Sequence, residues 1–139
     1  MSWVKHYHDD HMAVMRLLAK LEGNIKEIEM GEKRTHLNLE LEEFARVIRE
    51  VIIPHFKHEE TGIYARIAEV SEEERDFINR MLEEHRRLYV AFEDYLSAVD
   101  SLDEAKLAAA GKIIIDILAK HIKKEELVIP KIAAKLDIS

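Results

Sequence analysis

The chain of 139 residues carries 21 Lys and Arg against 28 Asp and Glu, a formal net charge of −7, with eight histidines and no cysteine. The missing thiol excludes disulfide frameworks, zinc ribbons, iron–sulfur clusters and thiol catalysis. An acidic chain without a basic run is a poor partner for nucleic acid or an anionic membrane. Four glycines and two prolines are too few turn formers for a many-stranded β fold, and no apolar run approaches the ~20 residues of a membrane span. The N-terminus lacks the basic-then-apolar layout of a secretory signal. The expectation is a soluble cytoplasmic protein, one domain over residues 1–139, with monomer and small homo-oligomer both open.

A first helix is predicted near residues 3–30. Val4, His11, Leu18 and Ile25 recur every seven residues, interleaved with Tyr7, Val14, Leu21 and Ile28. This is an a/d seam with His11 at an a position, and Gly31 can close the helix in the left-handed conformation. A second helix, near 36–69, carries Leu37, Leu41, Phe44, Ile48, Val51, His55 and Gly62 on one stripe. Pro54 removes a backbone hydrogen bond and should kink it just before His55. A third, near 72–99, opens with a capping box of Ser71 and Glu74. It carries Ile78, Met81, His85, Leu88, Tyr89, Phe92, Leu96 and Val99. A fourth, near 102–136, opens with Ser101 and Glu104 and carries Leu107, Ala110, Ile114, Ile117, His121, Val128 and Ile132. Pro130 either bends this helix or marks where it begins to fail. The fold class is all-α, an antiparallel up-down-up-down four-helix bundle.

Each apolar stripe contains one histidine, at His11, His55, His85 and His121. A core of Leu, Ile, Val and Phe excludes histidine unless a partner satisfies it. One helical turn on, facing the same way, stand Met15, Glu59, Tyr89 and Glu125. The arrangement is an internal repeat. The segment from His55 to Glu60 aligns without gaps on that from His121 to Glu126, Ile63 falls on Ile129, and Asp10–His11 matches Glu84–His85. The four histidines are then related by a pseudo-twofold axis. Two buried carboxylates and four imidazoles are costly in a dry core, and cations remove that cost. Six N and O donors exceed the four of a structural zinc site. They suit two metals spanned by two carboxylates, and ligation without thiolate favours iron, with manganese and zinc also open. His6, His8, His36 and His58 read as surface residues, His58 at the rim.

These motifs, His11 in Asp-Asp-His, His55-x3-Glu59 in HFKHEE, Glu-Glu-His85 and His121 in HIKKEE, resemble the hemerythrin-like (HHE cation-binding) family over essentially the whole chain. The resemblance implies a four-helix bundle with a non-haem di-iron centre, carboxylate- and oxo- or hydroxo-bridged. It implies that His11 and His55 hold one iron, and His85 and His121 the other. Glu59 and a carboxylate of the last motif would bridge. Ferritin-like di-iron bundles are disfavoured, because their Glu-x2-His signature is missing. Two positions depart from the family. Oxygen-carrying hemerythrins have a second histidine one turn after the third-helix one, where this chain has Tyr89. Tyr89 then ligates as phenolate, contacts the ligands from outside, or leaves an open or water-filled position. Family members also differ in taking the last carboxylate four or five residues after the histidine. Helix geometry and the repeat favour Glu125 over Glu126 unless the helix bulges.

The function expected is binding or sensing of oxygen, peroxide or nitric oxide at the cluster, or iron handling. Two alternatives belong to other classes: a di-iron enzyme with oxidase, peroxidase-like or nitric oxide-reducing activity, and a metal-free helical interaction module.

Overall fold

A computed structural model describes residues 2–31 and 37–138, with side chains from residue 9 onward. Helix α1 spans Ser2–Met30. The second arm of the bundle is α2 (Leu37–Val47), a π-helical turn (Ile48–Ile52), α3 (Ile53–Thr61) and α4 (Ile63–Val70). Helices α5 (Arg75–Ser101) and α6 (Glu104–Lys135) complete it. The described residues contain no strand, and the fold is the expected all-α bundle. Helix α1 packs on α6 and α2, while α5 packs on α6 and on all three segments of the second arm. His6, His8, His36, Val4 and Tyr7 lie outside the described side chains.

Two apolar clusters hold the arms together, and their composition shows where the site must lie. The larger includes Leu18, Leu21, Ile25, Leu41, Phe44, Ile52, Phe56, Leu88, Phe92, Ile114, Leu118 and Ile122. The smaller includes Tyr64, Ile67, Ile78, Met81, Ile129 and Ile132. Along the last three arms the gap between the clusters falls on positions 59, 85 and 125, with His121 beside Ile122 at the edge of the larger cluster. Buried His11, Glu59, His85, His121 and Glu125 thus form a polar layer between two dry ones.

The sequence stripes need correction at Val51 and Gly62. The irregularity expected at Pro54 is a widened turn, in which the Ile53 N–H reaches back five residues to the Ile48 carbonyl. The extra residue advances the stripe, so Ile52 is buried while Val51 is exposed. It also leaves Pro54 in the first turn of α3, where a missing N–H costs least. Gly62 is not on the inner face either. It is exposed and separates α3 from α4 at φ −103°, ψ −101°, and the residue that turns inward is Tyr64.

Neither predicted capping box forms. Ser71 instead ends α4, its N–H bonding the Ile67 carbonyl. Helix α5 starts only at Arg75, whose Nε donates to the orphan Ala68 carbonyl at 2.8 Å. Ser101 is the last residue of α5, with its hydroxyl spent on the Ser97 carbonyl. The chain then turns through left-handed Leu102, the Asp103 N–H closing on the Ala98 carbonyl in a Schellman-type stop. Asp103 caps α6 by accepting from the Lys106 N–H at 3.1 Å. Gly31 ends α1 at φ 72° as expected, and α6 runs through Pro130 to Lys135, so Pro130 does not mark where that helix fails.

Gly62 matters because a Cβ there would sit 2.7 Å from the backbone oxygen of His58, which cannot move without unwinding α3. At Gly23, on the exposed side of α1, a Cβ meets nothing. We expect Gly62→Ala to destabilise the fold by about 1–3 kcal/mol. Gly23→Ala should stabilise it by up to ~1 kcal/mol through helix propensity. Thermal melts that move both variants in the same direction would refute this account of the α3–α4 junction.

Candidate metal centre

The layer is assembled by helix periodicity within each arm and by packing between arms. On α3 and α6 the four-residue spacing stacks a carboxylate over each histidine. His55 Nε2 lies 3.2 Å from Glu59 Oε2, and His121 Nε2 lies 3.3 Å from Glu125 Oε1. Each carboxylate also reaches the other half of the bundle. Glu59 Oε1 is 3.3 Å from His85 Nε2, and Glu125 Oε1 is 3.3 Å from His11 Nε2. Every Nε2 therefore points into the layer, and each carboxylate spans one histidine from each half. Glu59, His85, His121 and Glu125 each bring one donor atom within 4.8 Å of the others, as do His11, His55 and Glu59.

The other ring nitrogens face an outer ring of carboxylates. His11 Nδ1 meets Glu126 at 2.9 Å, His85 Nδ1 meets Glu60 at 2.7 Å and His121 Nδ1 meets Glu84 at 2.8 Å. His55 Nδ1 lies 3.5 Å from Asp10. An ionised carboxylate only accepts, so Nδ1 carries a proton, and in the neutral ring the Nε2 lone pair then faces the interior. The repeat extends to these partners: Asp10 serves His55 as Glu84 serves His121, and Glu60 serves His85 as Glu126 serves His11. Lys124 pairs with Glu84 at the rim. Phe56 stacks on the His85 ring, centroids 3.8 Å apart and planes 3° from parallel, and fixes its orientation.

The electrostatics favour cations. Six carboxylates surround four imidazoles and Lys124, so the site stays negative even with every imidazole charged. Both Glu59 oxygens are buried without a hydrogen bond, beside the imidazoles of His55 and His85 and close to the Glu125 carboxylate. That is an expensive condition for a buried carboxylate unless a cation occupies the space between them. Burial pulls the His121 imidazole down, but Glu125 and Glu84 outweigh it and push it up to about 9. Burial likewise opposes the charged form of His55, and Glu59 again raises it overall. Burial works against ionised Glu125 too, yet His11 and His121 hold its carboxyl well below the usual range. Four imidazole and two carboxylate donors, all aimed inward with no thiolate, fit the two-cation site that the sequence implies.

Of the seven candidate ligands, six meet in the layer: His11, His55, Glu59, His85, His121 and Glu125. Tyr89 stands beside it. Its hydroxyl donates to Glu60 Oε2 at 3.0 Å, on the same outer carboxylate that takes His85 Nδ1. Burial and the Glu60 charge raise its pKa and keep it a phenol. Glu126, the rival of Glu125, sits on His11 Nδ1, with its side chain 29% exposed against 1% for Glu125. His58 is exposed. Sequence reasoning missed Tyr64, which is fully buried. Its hydroxyl donates to Glu125 Oε2 and lies 3.4 Å from His121 Nε2. Gly62, as a helix breaker, was the one signal that could have redirected attention to it.

The sign of the pH dependence follows for metal-free protein. His121 has a folded pKa above its unfolded 6.5, so its pairing contributes fully below pH 6.5 and is lost as the pH rises through 9. Chelator-treated protein should therefore melt at progressively lower temperature between pH 6.5 and 9, and His121→Gln should flatten that slope. An unchanged slope in the variant would rule out this pairing as its source.

Neither a curated relative nor a solved structure matches the chain. A family model does: the hemerythrin HHE cation binding domain, over residues 2–132. With the match spanning nearly the whole chain and the described geometry supplying a buried His/Glu cluster able to hold a metal, this protein belongs to the hemerythrin HHE cation-binding family.

Proposed function

We propose that the chain binds two iron ions, one at His11 and His55 and one at His85 and His121, with Glu59 and Glu125 shared. In this reading the centre binds oxygen, peroxide or nitric oxide for sensing or delivery, or handles iron. The observation that carries it is the cross-bundle span of the two buried carboxylates, each between an imidazole of one half and an imidazole of the other. Bound iron supplies redox chemistry and affinity for small diatomic ligands. The chain's own residues do the rest. Asp10, Glu60, Glu84 and Glu126 hold the imidazoles in one tautomer and orientation, the two apolar clusters restrain water entry, and Glu59 and Glu125 balance charge.

A small ligand is favoured over an organic substrate by the space available. A cavity of about 20 Å³ borders His11, His55 and Glu125, walled by Val14, Ile52, Phe56, Leu118 and Ile122. That exceeds the ~10–15 Å³ one water-sized probe needs and is far below the ~300 Å³ of a pocket for a larger molecule. This supports ligand binding over turnover of an organic compound. No described helix is long and apolar enough to cross a membrane.

Protein produced in iron-replete medium should contain about two irons per chain, with near-ultraviolet absorption that bleaches with dithionite and returns in air. Glu59→Ala and Glu125→Ala should each lose at least one iron. Glu126→Ala should keep both but bind them about 10–100-fold more weakly, the usual effect of removing an outer partner. Equal losses at Glu125 and Glu126 in metal analysis would contradict the assignment. Val14→Phe, which fills the cavity, should retain iron while slowing nitric oxide binding in stopped-flow mixing. Unchanged kinetics would show that the ligand enters elsewhere.

A further inference from the structure

We propose that Tyr64 is a seventh protein donor, whose phenolic oxygen ligates the metal held by His85 and His121 and makes the two halves of the centre unequal. The proposal rests on the di-iron reading above and goes beyond it in assigning a residue outside the recognised motifs.

Two donors bound at right angles, each ~2.0–2.2 Å from one ion, lie about 3 Å apart. In the His85 half the inward atoms follow that rule. His85 Nε2 to His121 Nε2 is 3.0 Å, His85 Nε2 to Glu59 Oε1 is 3.3 Å, and His121 Nε2 to Glu125 Oε1 is 3.3 Å. The Tyr64 oxygen joins the same set, 3.4 Å from His121 Nε2 and in contact with Glu125 Oε2. Its ring is fully buried, with its centroid 5.4 Å from that of His85. Tyr89, the tyrosine at the expected helical position, points its hydroxyl at the outer carboxylate Glu60 instead.

The repeat then shows that this donor has no counterpart. His55 and Glu59 align with His121 and Glu125, and in the same register Tyr64 falls on Pro130. A proline side chain offers no donor, so among the described residues the repeat supplies no equivalent phenol to the His11 and His55 half, which borders the small apolar-walled cavity instead. An ion in the His85 half gains a fifth side-chain donor while the other half keeps room for an outside ligand. The exchange is balanced: as the metal–oxygen bond forms, the phenolic O–H breaks and its proton leaves to solvent. An anionic oxygen donor favours the ferric state, so Tyr64 also lowers the reduction potential of its half.

The test loads metal-free wild type, Tyr64→Phe and Tyr89→Phe with ferrous iron and oxidises them in air. Iron content, visible absorption and resonance Raman spectra are then recorded. We expect two irons in all three. A visible phenolate-to-iron band, with tyrosinate vibrations, should appear in wild type and Tyr89→Phe and vanish in Tyr64→Phe, which should also show a higher midpoint potential. Iron-loaded wild type without the band, or a band that survives in Tyr64→Phe, would overturn the assignment while leaving the di-iron reading intact. A band lost only in Tyr89→Phe would transfer the role to Tyr89. Protein that takes up no iron overturns both readings.

Discussion

Everything in this bundle is arranged around one unfavourable act, the burial of carboxylates and imidazoles between two apolar layers. A buried carboxylate pushed toward neutrality would weaken as a ligand, and a buried imidazole left to itself would fix no tautomer. The chain answers with a second circle of charge. Asp10, Glu60, Glu84 and Glu126, each adjacent in sequence to an inner residue but bonded to a histidine on another helix, lock the four rings from outside. Each outer residue therefore ties two helices together as well as orienting a donor. Bundle packing and site geometry become a single constraint: shifting one helix along its axis would misalign an inner histidine and an outer carboxylate together.

The histidines give the centre its nitrogen donors, yet the carboxylates determine what the site can be. The imidazoles alone would suit several metals or a protonated hydrogen-bond network. Two carboxylates that each lie between histidines of both halves of the bundle gather the inward donors into two adjoining His/Glu groups able to hold metal. The residual negative charge, which persists with every imidazole protonated, makes a metal-free resting state poorly balanced. The same excess explains why metal affinity and fold stability should be tightly linked.

What the sequence made legible was what a regular helix transmits. One histidine per stripe, and Glu59 and Glu125 a turn beyond their histidines, follow from a 3.6-residue period, and the gapless repeat from His55 to Glu60 exposed the pseudo-twofold relation. The outer ring was present in the same motif but unreadable as such, since its bonds cross between helices and no periodicity encodes them. Capping boxes at Ser71 and Ser101 failed for a related reason. Local pattern matched, but Arg75 and the Schellman stop at Leu102 satisfied the helix ends in other ways. Tyr64 was invisible for a geometrical reason. It lies five residues after Glu59, about 140° round an unbroken helix, and only the irregular backbone at Gly62 swings it back into the layer.

That local irregularity is also where the symmetry of the repeat ends. The α6 arm passes the equivalent point as continuous helix, with Pro130 where the other arm has Tyr64. Two fully equivalent halves would give a metal or an outside ligand no reason to choose between them. A glycine break that admits one phenol, set against a proline that admits none, gives such a reason. One half faces the Tyr64 hydroxyl, and the other faces a cavity walled by Val14, Ile52 and Ile122, which offer no donor. Discrimination between the two halves then requires no new motif. It requires only that one arm of an otherwise repeated bundle be broken at a glycine and the other run on as helix.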